Sequence, residues 1–116
     1  LLPDREIFVF DRRVAAHPDC VPDTSHLILG DVQETLPRTL ARSGAKAALA
    51  HCDVGTGVAA DNDALARFLG PVLAGLMTPG GIVVSDQKLA VAGWTPVALP
   101  PGIEPGRYFI NRVEVP

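Results

Sequence analysis

Four aspartates each follow a short apolar run, and their positions suit binding chemistry. The runs are Ile7–Phe10, Leu27–Leu29, Ala47–Cys52 and Ile82–Ser85, and the acids are Asp11, Asp31, Asp53 and Asp86. In an open parallel sheet, ligands bind beyond the carboxyl ends of the strands. Carboxylates at those ends suit a ligand that is cationic or rich in hydroxyl groups. A turn or a helix N-cap explains any single aspartate better, but the repetition favours a site.

The apolar runs predict the strands that would position these acids. We expect strands at 6–10, 27–29, 47–52 and 82–85. Because the first run has no polar face, we expect it to be buried on both sides. The residues 94–99 and 107–113 predict two further strands, antiparallel because only a proline-rich loop joins them. The expected architecture is α/β, mostly parallel, with an antiparallel hairpin at the C-terminal end.

Two helices should connect the strands. Val32, Leu36 and Leu40 fall four residues apart and predict a helix over 31–43, with Pro37 in its first turn and Thr35 at or near the cap. A second helix is expected to begin with Asp61 as its N-cap and to reach residue 77. Its apolar positions recur at three-and-four spacing, and Pro71 predicts a kink.

Composition narrows the class of protein. A length of 116 residues predicts one domain over residues 1–116. The net charge of −3 gives no electrostatic indication of binding to nucleic acid or to an anionic membrane. No apolar run approaches the length that spans a membrane. Two cysteines are too few for a disulfide framework, so we expect a reduced thiol at Cys52 and a cytoplasmic location. Because Met77 is the only methionine and the chain opens on Leu-Leu-Pro, we expect further residues before Leu1.

The acids at the first two strand ends allow specific interpretations. Asp11 can accept hydrogen bonds from a ribose diol; alternatively, it pairs with Arg12 or Arg13 or caps the short turn that follows. Gly30-Asp31-Val32 suits an adenine ring, with an acceptor for the amino group and an apolar side chain for the ring face. Alternatively, Asp31 caps the next helix.

Asp53 precedes a glycine-rich loop that suggests two chemistries. Glycines there let a ligand approach the backbone. Gly55-x-Gly57-x-x-Ala60 also matches a dinucleotide-binding fingerprint, but Asp86 lies 29 residues beyond Gly57, where about 20 is usual. The three histidines share no metal-ligand spacing, so no metal site is predicted. Cys52 is expected to be a packed thiol and not a nucleophile, because neighbouring strand residues point to opposite faces.

These residues together resemble a known family. The order Ile7–Asp11, Leu27–Val32, Ala47–Asp53 and the Pro-Gly-Gly turn before the fourth strand resembles a class I S-adenosylmethionine-dependent methyltransferase. The stretches VFDRRVAAHPD, LILGDVQETLP and KAALAHCDVGTG are similar to a small bacterial family of S-adenosyl-L-methionine methyltransferases. The resemblance implies a Rossmann-like methyltransferase sheet. It also implies a first strand with a glycine-rich loop before Leu1.

The resemblance further implies roles for individual residues. Asp11 matches the ribose-binding acid, Asp31 with Val32 matches the adenine contact, and Asp53 matches the residue that faces cofactor and substrate. Arg12 and Gly30 are expected beside them in the cofactor site, with Asp53 as the catalytic candidate.

The predicted function is methyl transfer from S-adenosyl-L-methionine to a small acceptor, by a monomer or a homo-oligomer. The alternatives are an NAD(P)-dependent oxidoreductase built on Gly55-x-Gly57 and an inactive methyltransferase-like domain.

Overall fold

The chain divides into two compact units, residues 1–41 and residues 42–116. The computed structural model describes residues 7–11, 26–43, 47–53, 55 and 58–114. Within these ranges there are six strands and two helices, so the expected α/β class is confirmed.

The first unit consists of a parallel strand pair and a helix. Strand β1 (Val9–Asp11) pairs with β2 (Leu27–Leu29), and Asp11 lies opposite Leu29. Helix α1 (Val32–Ser43) follows, as the stripe of apolar residues predicted. Leu36 is buried, as expected for the inner face of an amphipathic helix.

Three expectations for this unit were wrong in detail. Ile7 and Phe8 are 57% and 47% exposed, although the apolar run predicted burial on both faces. Both residues precede β1, which begins at Val9 and not at residue 6 as expected, so neither is paired with β2. Pro37 is the sixth residue of α1 and lies beyond the first turn. Thr35 lies inside α1 and is not its cap; its hydroxyl donates to the Asp31 carbonyl oxygen at 3.2 Å.

The second unit contains a four-stranded mixed sheet. Its strands are β3 (Ala47–Cys52), β4 (Met77–Ser85), β5 (Thr95–Val97) and β6 (Phe109–Arg112). Their order is β3-β4-β6-β5. Strand β3 is parallel to β4, whereas β6 is antiparallel to both β4 and β5. Of the four strand pairings described in the two units, two are parallel and two are antiparallel, whereas a mostly parallel sheet was expected.

The core of the second unit lies between one face of this sheet and helix α2 (Ala59–Leu76). The inward leucines of α2 are Leu69, Leu73 and Leu76. On β4, Val83 and Ser85 are fully buried while Ile82 and Val84, on the opposite face, are only half-buried. Burying a leucine or valine side chain contributes about 1.5–3 kcal/mol to stability. This packing fixes β3 and β4, whose ends carry Asp53 and Asp86.

Helix α2 begins earlier than Asp61 predicted. Its N-cap is Val58, which makes no side-chain capping bond, and Asp61 lies in the first turn. A carboxylate there still interacts favourably with the positive end of the helix. Met77 is the C-cap of α2 and also the first residue of β4. The kink expected at Pro71 stays a prediction.

The turn expected at residues 79–81 is instead an irregular part of β4. Ala47 pairs with Met77 and Leu49 with Ile82, so Ala48 lies opposite four residues of β4. Gly80 adopts a φ of 79°, a conformation that glycine adopts without strain. Its N–H donates to the Val113 carbonyl oxygen at 3.2 Å, and the Val113 N–H donates to the Gly81 carbonyl oxygen at 2.8 Å. These bonds join the bulge to the chain that follows β6.

Candidate functional site

The parallel pairing of β1 and β2 brings three candidate cofactor residues to one edge of the first unit. Asp11 ends β1, and Gly30 and Asp31 follow β2 directly. The Gly30 N–H donates to the backbone carbonyl oxygen of Asp11 at 2.9 Å. The exposed side chains of Asp11 and Asp31 therefore lie at the same carboxyl end, as the strand pattern predicted.

Gly30 makes the connection between β2 and α1 sterically feasible. Its φ is 137°, and a Cβ at this position would approach Thr35 Cγ2 to 3.1 Å. A larger residue would be strained in this backbone conformation and would press on the first turn of α1. Glycine at this position therefore allows the chain to turn from β2 into α1.

Asp31 precedes the helix and caps its start through the backbone. Its carbonyl oxygen accepts the N–H groups of Glu34 and Thr35 at 2.9 and 3.0 Å. This backbone role fits the helix-start alternative, and the exposed carboxylate remains a candidate for ligand binding as well. Val32 is half-buried and offers an apolar surface next to it.

The carboxyl end of the β3–β4 pair is held together by Asp86. The Asp86 N–H donates to the Cys52 carbonyl oxygen at 3.0 Å, which continues the parallel ladder. The Gly55 N–H donates to Asp86 Oδ2 at 2.7 Å, across 31 residues of sequence. A Cβ at Gly55 would overlap this carboxylate and approach the Gln87 amide to 2.7 Å. Gly55 is thus needed for an internal contact, whereas the sequence suggested a close approach by a ligand.

Asp53 lies between these residues at the end of β3. Its side chain is exposed, and it has no hydrogen-bond or ion-pair partner among the residues that the structure describes. The loop that follows it is anchored by Gly55 to Asp86. The carboxylate of Asp53, the catalytic candidate, is therefore exposed at the carboxyl end of β3, close in sequence to the bond between Gly55 and Asp86.

Cys52 is unsuited to nucleophilic chemistry. Burial, and to a smaller extent the negative charge of Asp86, raises the pKa of the Cys52 thiol to about 11. The thiolate is the reactive form, so this thiol is protonated and inert near neutral pH. Cys52 is a free cysteine, in keeping with the packed thiol that the sequence predicted; Cys20 lies outside the described residues.

Aromatic residues from the C-terminal strands border the same edge, and sequence reasoning missed them. Tyr108 precedes β6, and its ring centroid lies 6.3 Å from that of His51. It also lines a cavity of about 490 Å³ that includes Lys88 and Trp94. These residues carry no motif, and only the antiparallel placement of β6 beside β4 brings Tyr108 near the end of β3.

The structure thus places the candidate residues in two groups. Asp11, Gly30, Asp31 and Val32 belong to the first unit, and Asp53 belongs to the second. Arg12 and Gly57 lie outside the described residues, so the roles predicted for them stay predictions. In the described part of the chain, no three His, Cys, Asp or Glu side chains come together as a metal site. No described helix is long and apolar enough to cross a membrane.

Comparison with known proteins bears on this arrangement. A family model described as S-adenosyl-L-methionine methyltransferase matches residues 1–113. The chain belongs to this family. The resemblance inferred from the sequence is therefore confirmed, and with it S-adenosyl-L-methionine as the cofactor for which the methyltransferase family is named.

A solved relative supports the family assignment. The crystal structure of an S-adenosyl-L-methionine methyl transferase from Silicibacter pomeroyi DSS-3 is 46% identical in sequence, with a TM-score of 0.86. The match covers 93% of this chain and 66% of that one, so the chain spans just under two thirds of its relative. The search of curated proteins found no match. None of these comparisons supports the nicotinamide-dependent alternative.

Proposed function

We propose that this methyltransferase-family protein transfers a methyl group from S-adenosyl-L-methionine to a small acceptor. The observation that carries the proposal is the family match over residues 1–113. The arrangement of acidic residues at the carboxyl ends of both parallel strand pairs supports it. The Rossmann-like sheet expected from the sequence belongs to the same proposal, and the parallel pairing within β1–β2 and within β3–β4 supports it.

The residues of the first unit fit the nucleoside part of the cofactor chemically. A carboxylate can accept both hydroxyl hydrogens of a ribose, which suits Asp11. Asp31 supplies an acceptor for an amino group, and half-buried Val32 supplies an apolar surface for a ring. Gly30, between β2 and Asp31, is proposed as a backbone neighbour of the same site. Arg12 is proposed as a neighbour of this site.

Asp53 is proposed as the residue that positions or deprotonates the acceptor. When bound, S-adenosyl-L-methionine would supply a methyl group activated by its sulfonium sulfur for transfer to a lone pair of the acceptor, and the sulfur would leave as a neutral thioether. Catalysis then depends mainly on alignment, with a base where the acceptor carries a proton. Asp53 can take that proton because its carboxylate is exposed at the strand end. The negative charge of Asp53 would also favour a sulfonium cation nearby.

Calorimetric titration with S-adenosylhomocysteine and with NAD tests this function. We expect one-to-one binding of S-adenosylhomocysteine and none of NAD. Asp31→Asn should weaken the binding about ten-fold, since the amide is a poorer acceptor for an amino group and lacks the charge. Glu34→Gln is the matched control, because Glu34 is an exposed acid in the first turn of the same helix. Binding of NAD in place of S-adenosylhomocysteine, or equal losses in both variants, would contradict the proposal.

The net charge and the free thiol bear on the proposed substrate class and cellular location. The net charge of −3 argues against nucleic acid as a substrate, so a small-molecule acceptor is proposed. The free thiol of Cys52 agrees with a cytoplasmic location. Either a monomer or a homo-oligomer is compatible with this proposal.

A further inference from the structure

A cavity of about 490 Å³ lies beside the carboxyl end of the β3–β4 pair. It is formed by the segment after β4 together with β5, β6 and the loop between them. The residues that give it chemical character are Lys88, Trp94, Tyr108, Phe109 and Asn111. A volume of this size accommodates a small organic molecule, for which sites of about 300–1,000 Å³ are typical.

Two lining residues connect the cavity to the proposed catalytic edge. Lys88 follows Asp86 by two residues, and Asp86 is bonded to the loop after Asp53. Tyr108 precedes Phe109, which pairs with Ser85 at the end of β4. The Tyr108 ring lies against that of His51, two residues before Asp53. The cavity therefore adjoins the strand ends at which methyl transfer is proposed.

The lining selects for a particular kind of molecule. Three aromatic rings and several prolines and aliphatic side chains offer flat apolar surfaces, which favour planar ligands. Lys88 is the only charged residue among the described lining residues, in a chain whose net charge is −3. No carboxylate of the described residues forms an ion pair with Lys88. The described lining of the cavity is therefore largely apolar and includes one positively charged side chain, that of Lys88.

We propose that this cavity binds the methyl acceptor, and that the acceptor is a small, planar, largely apolar molecule with an anionic group that pairs with Lys88. The choice of substrate class rests on the proposed methyltransferase function. The aromatic lining holds the ring of the acceptor, and the ammonium group of Lys88 orients its anionic end.

The single tryptophan of the chain makes the proposal measurable. Trp94 lines the cavity, so its fluorescence should report occupancy directly. The probes are 4-hydroxybenzoate and 4-hydroxybenzamide, which share a shape and differ in charge. We expect both to change Trp94 emission with saturation, and the carboxylate to bind about three- to five-fold tighter, as befits an exposed ion pair.

Substitution of Lys88, with substitution of Arg67 as a control, tests whether the preference for the carboxylate arises in this cavity. Lys88→Met should abolish the preference for the carboxylate while leaving amide binding unchanged, and Lys88→Arg should retain the preference. Arg67→Met is the matched control: Arg67 is an exposed cation that, like Lys88, lines a second cavity of about 440 Å³ but does not line the first. Thermal melting of each variant verifies that it is folded.

Each outcome decides one proposal. A preference that survives Lys88→Met, or that Arg67→Met abolishes equally, overturns the assignment of Lys88. Absence of any saturable change in Trp94 emission overturns the cavity as a binding site, even when S-adenosylhomocysteine binds. Binding of the probes without binding of S-adenosylhomocysteine leaves the cavity standing and removes the methyltransferase function.

Discussion

The two parallel strand pairs end in similar sequences but hold their carboxyl ends together differently. After β2, the Gly30 N–H donates to the backbone carbonyl oxygen of Asp11 at 2.9 Å. After β3, the Gly55 N–H donates to the carboxylate of Asp86 at 2.7 Å. The first bond is independent of the side chain at position 11. The second exists only with an acceptor side chain at position 86.

The acids differ in burial as well as in bonding. Asp86 is half-buried and its carboxylate accepts the Gly55 N–H, whereas Asp11, Asp31 and Asp53 are exposed. An aspartate at a strand end is therefore not by itself a binding residue. What distinguishes the two roles is whether a neighbouring N–H depends on its carboxylate.

The largest effect should come from the core that supports only the second pair. Leu69 is fully buried in α2, and Leu69→Ala should lower the free energy of unfolding by about 2–5 kcal/mol because it leaves a cavity. Leu49→Ala is the control on the same unit, since Leu49 is 66% exposed, and it should change stability by less than about 0.5 kcal/mol. Urea denaturation measures both, and equal losses would refute the proposed core.

The next largest effect should be a loss of S-adenosylhomocysteine binding, caused by a substitution in the β1–β2 pair. Asp11→Ala should weaken S-adenosylhomocysteine binding by about 1.5–3 kcal/mol, the range for hydrogen bonds to a charged group. The bond from the Gly30 N–H should persist in this variant, because it uses the backbone of Asp11. Calorimetry and thermal melting distinguish the cases: normal binding with a much lower melting temperature would give Asp11 a structural role.

Asp86→Ala should show the opposite combination. Loss of the acceptor for the Gly55 N–H should destabilise the second unit by about 1–2 kcal/mol, since the loop is exposed and water replaces part of the bond. Glu104→Ala is the control, because Glu104 is an exposed acid of the same unit that lies outside the helices. Denaturant midpoints of the two variants should differ clearly, and equal midpoints would remove the distinction between the two strand pairs.

The smallest effect concerns pH. The pKa of Cys52 is raised from 9.0 to about 11, so the folded state retains its proton where the unfolded state loses it. Stability from this group is therefore fully present below about pH 9 and declines as pH rises toward 11. Because Cys52 is half-buried, the decline should be about 1 kcal/mol. Cys52→Ala should flatten the stability profile over this range, and a profile parallel to that of the unaltered protein would contradict the prediction.

Periodicity predicted those elements that local sequence determines. The spacing of Val32, Leu36 and Leu40 located α1 to within one residue, because an amphipathic stripe needs no distant partner to be recognised. The start of α2 was misplaced because Val58 caps it without a side-chain bond. The sequence analysis therefore placed the N-cap at Asp61, a residue typical of that position, three residues after the observed N-cap.

The contacts that define the candidate site could be predicted only in part. Parallel strands predicted that Asp53 and Asp86 would share an edge. The bond between Gly55 and Asp86 spans 31 residues, and no local pattern indicates it. The approach of Tyr108 to His51 depends on the position of β6 in the sheet, which follows from packing and not from any motif.

The bulge in β4 determines the register of that strand against β3. Four residues, Thr78 to Gly81, lie opposite Ala48 alone, so β4 carries three more residues than β3 at this point. Beyond the bulge, Val83 and Ser85 lie opposite the half-buried Ala50 and Cys52, and Val84 lies opposite the exposed His51. The bulge therefore acts as a spacer: β4 begins at the C-cap of α2 and still reaches the register that places Ser85 beside Cys52.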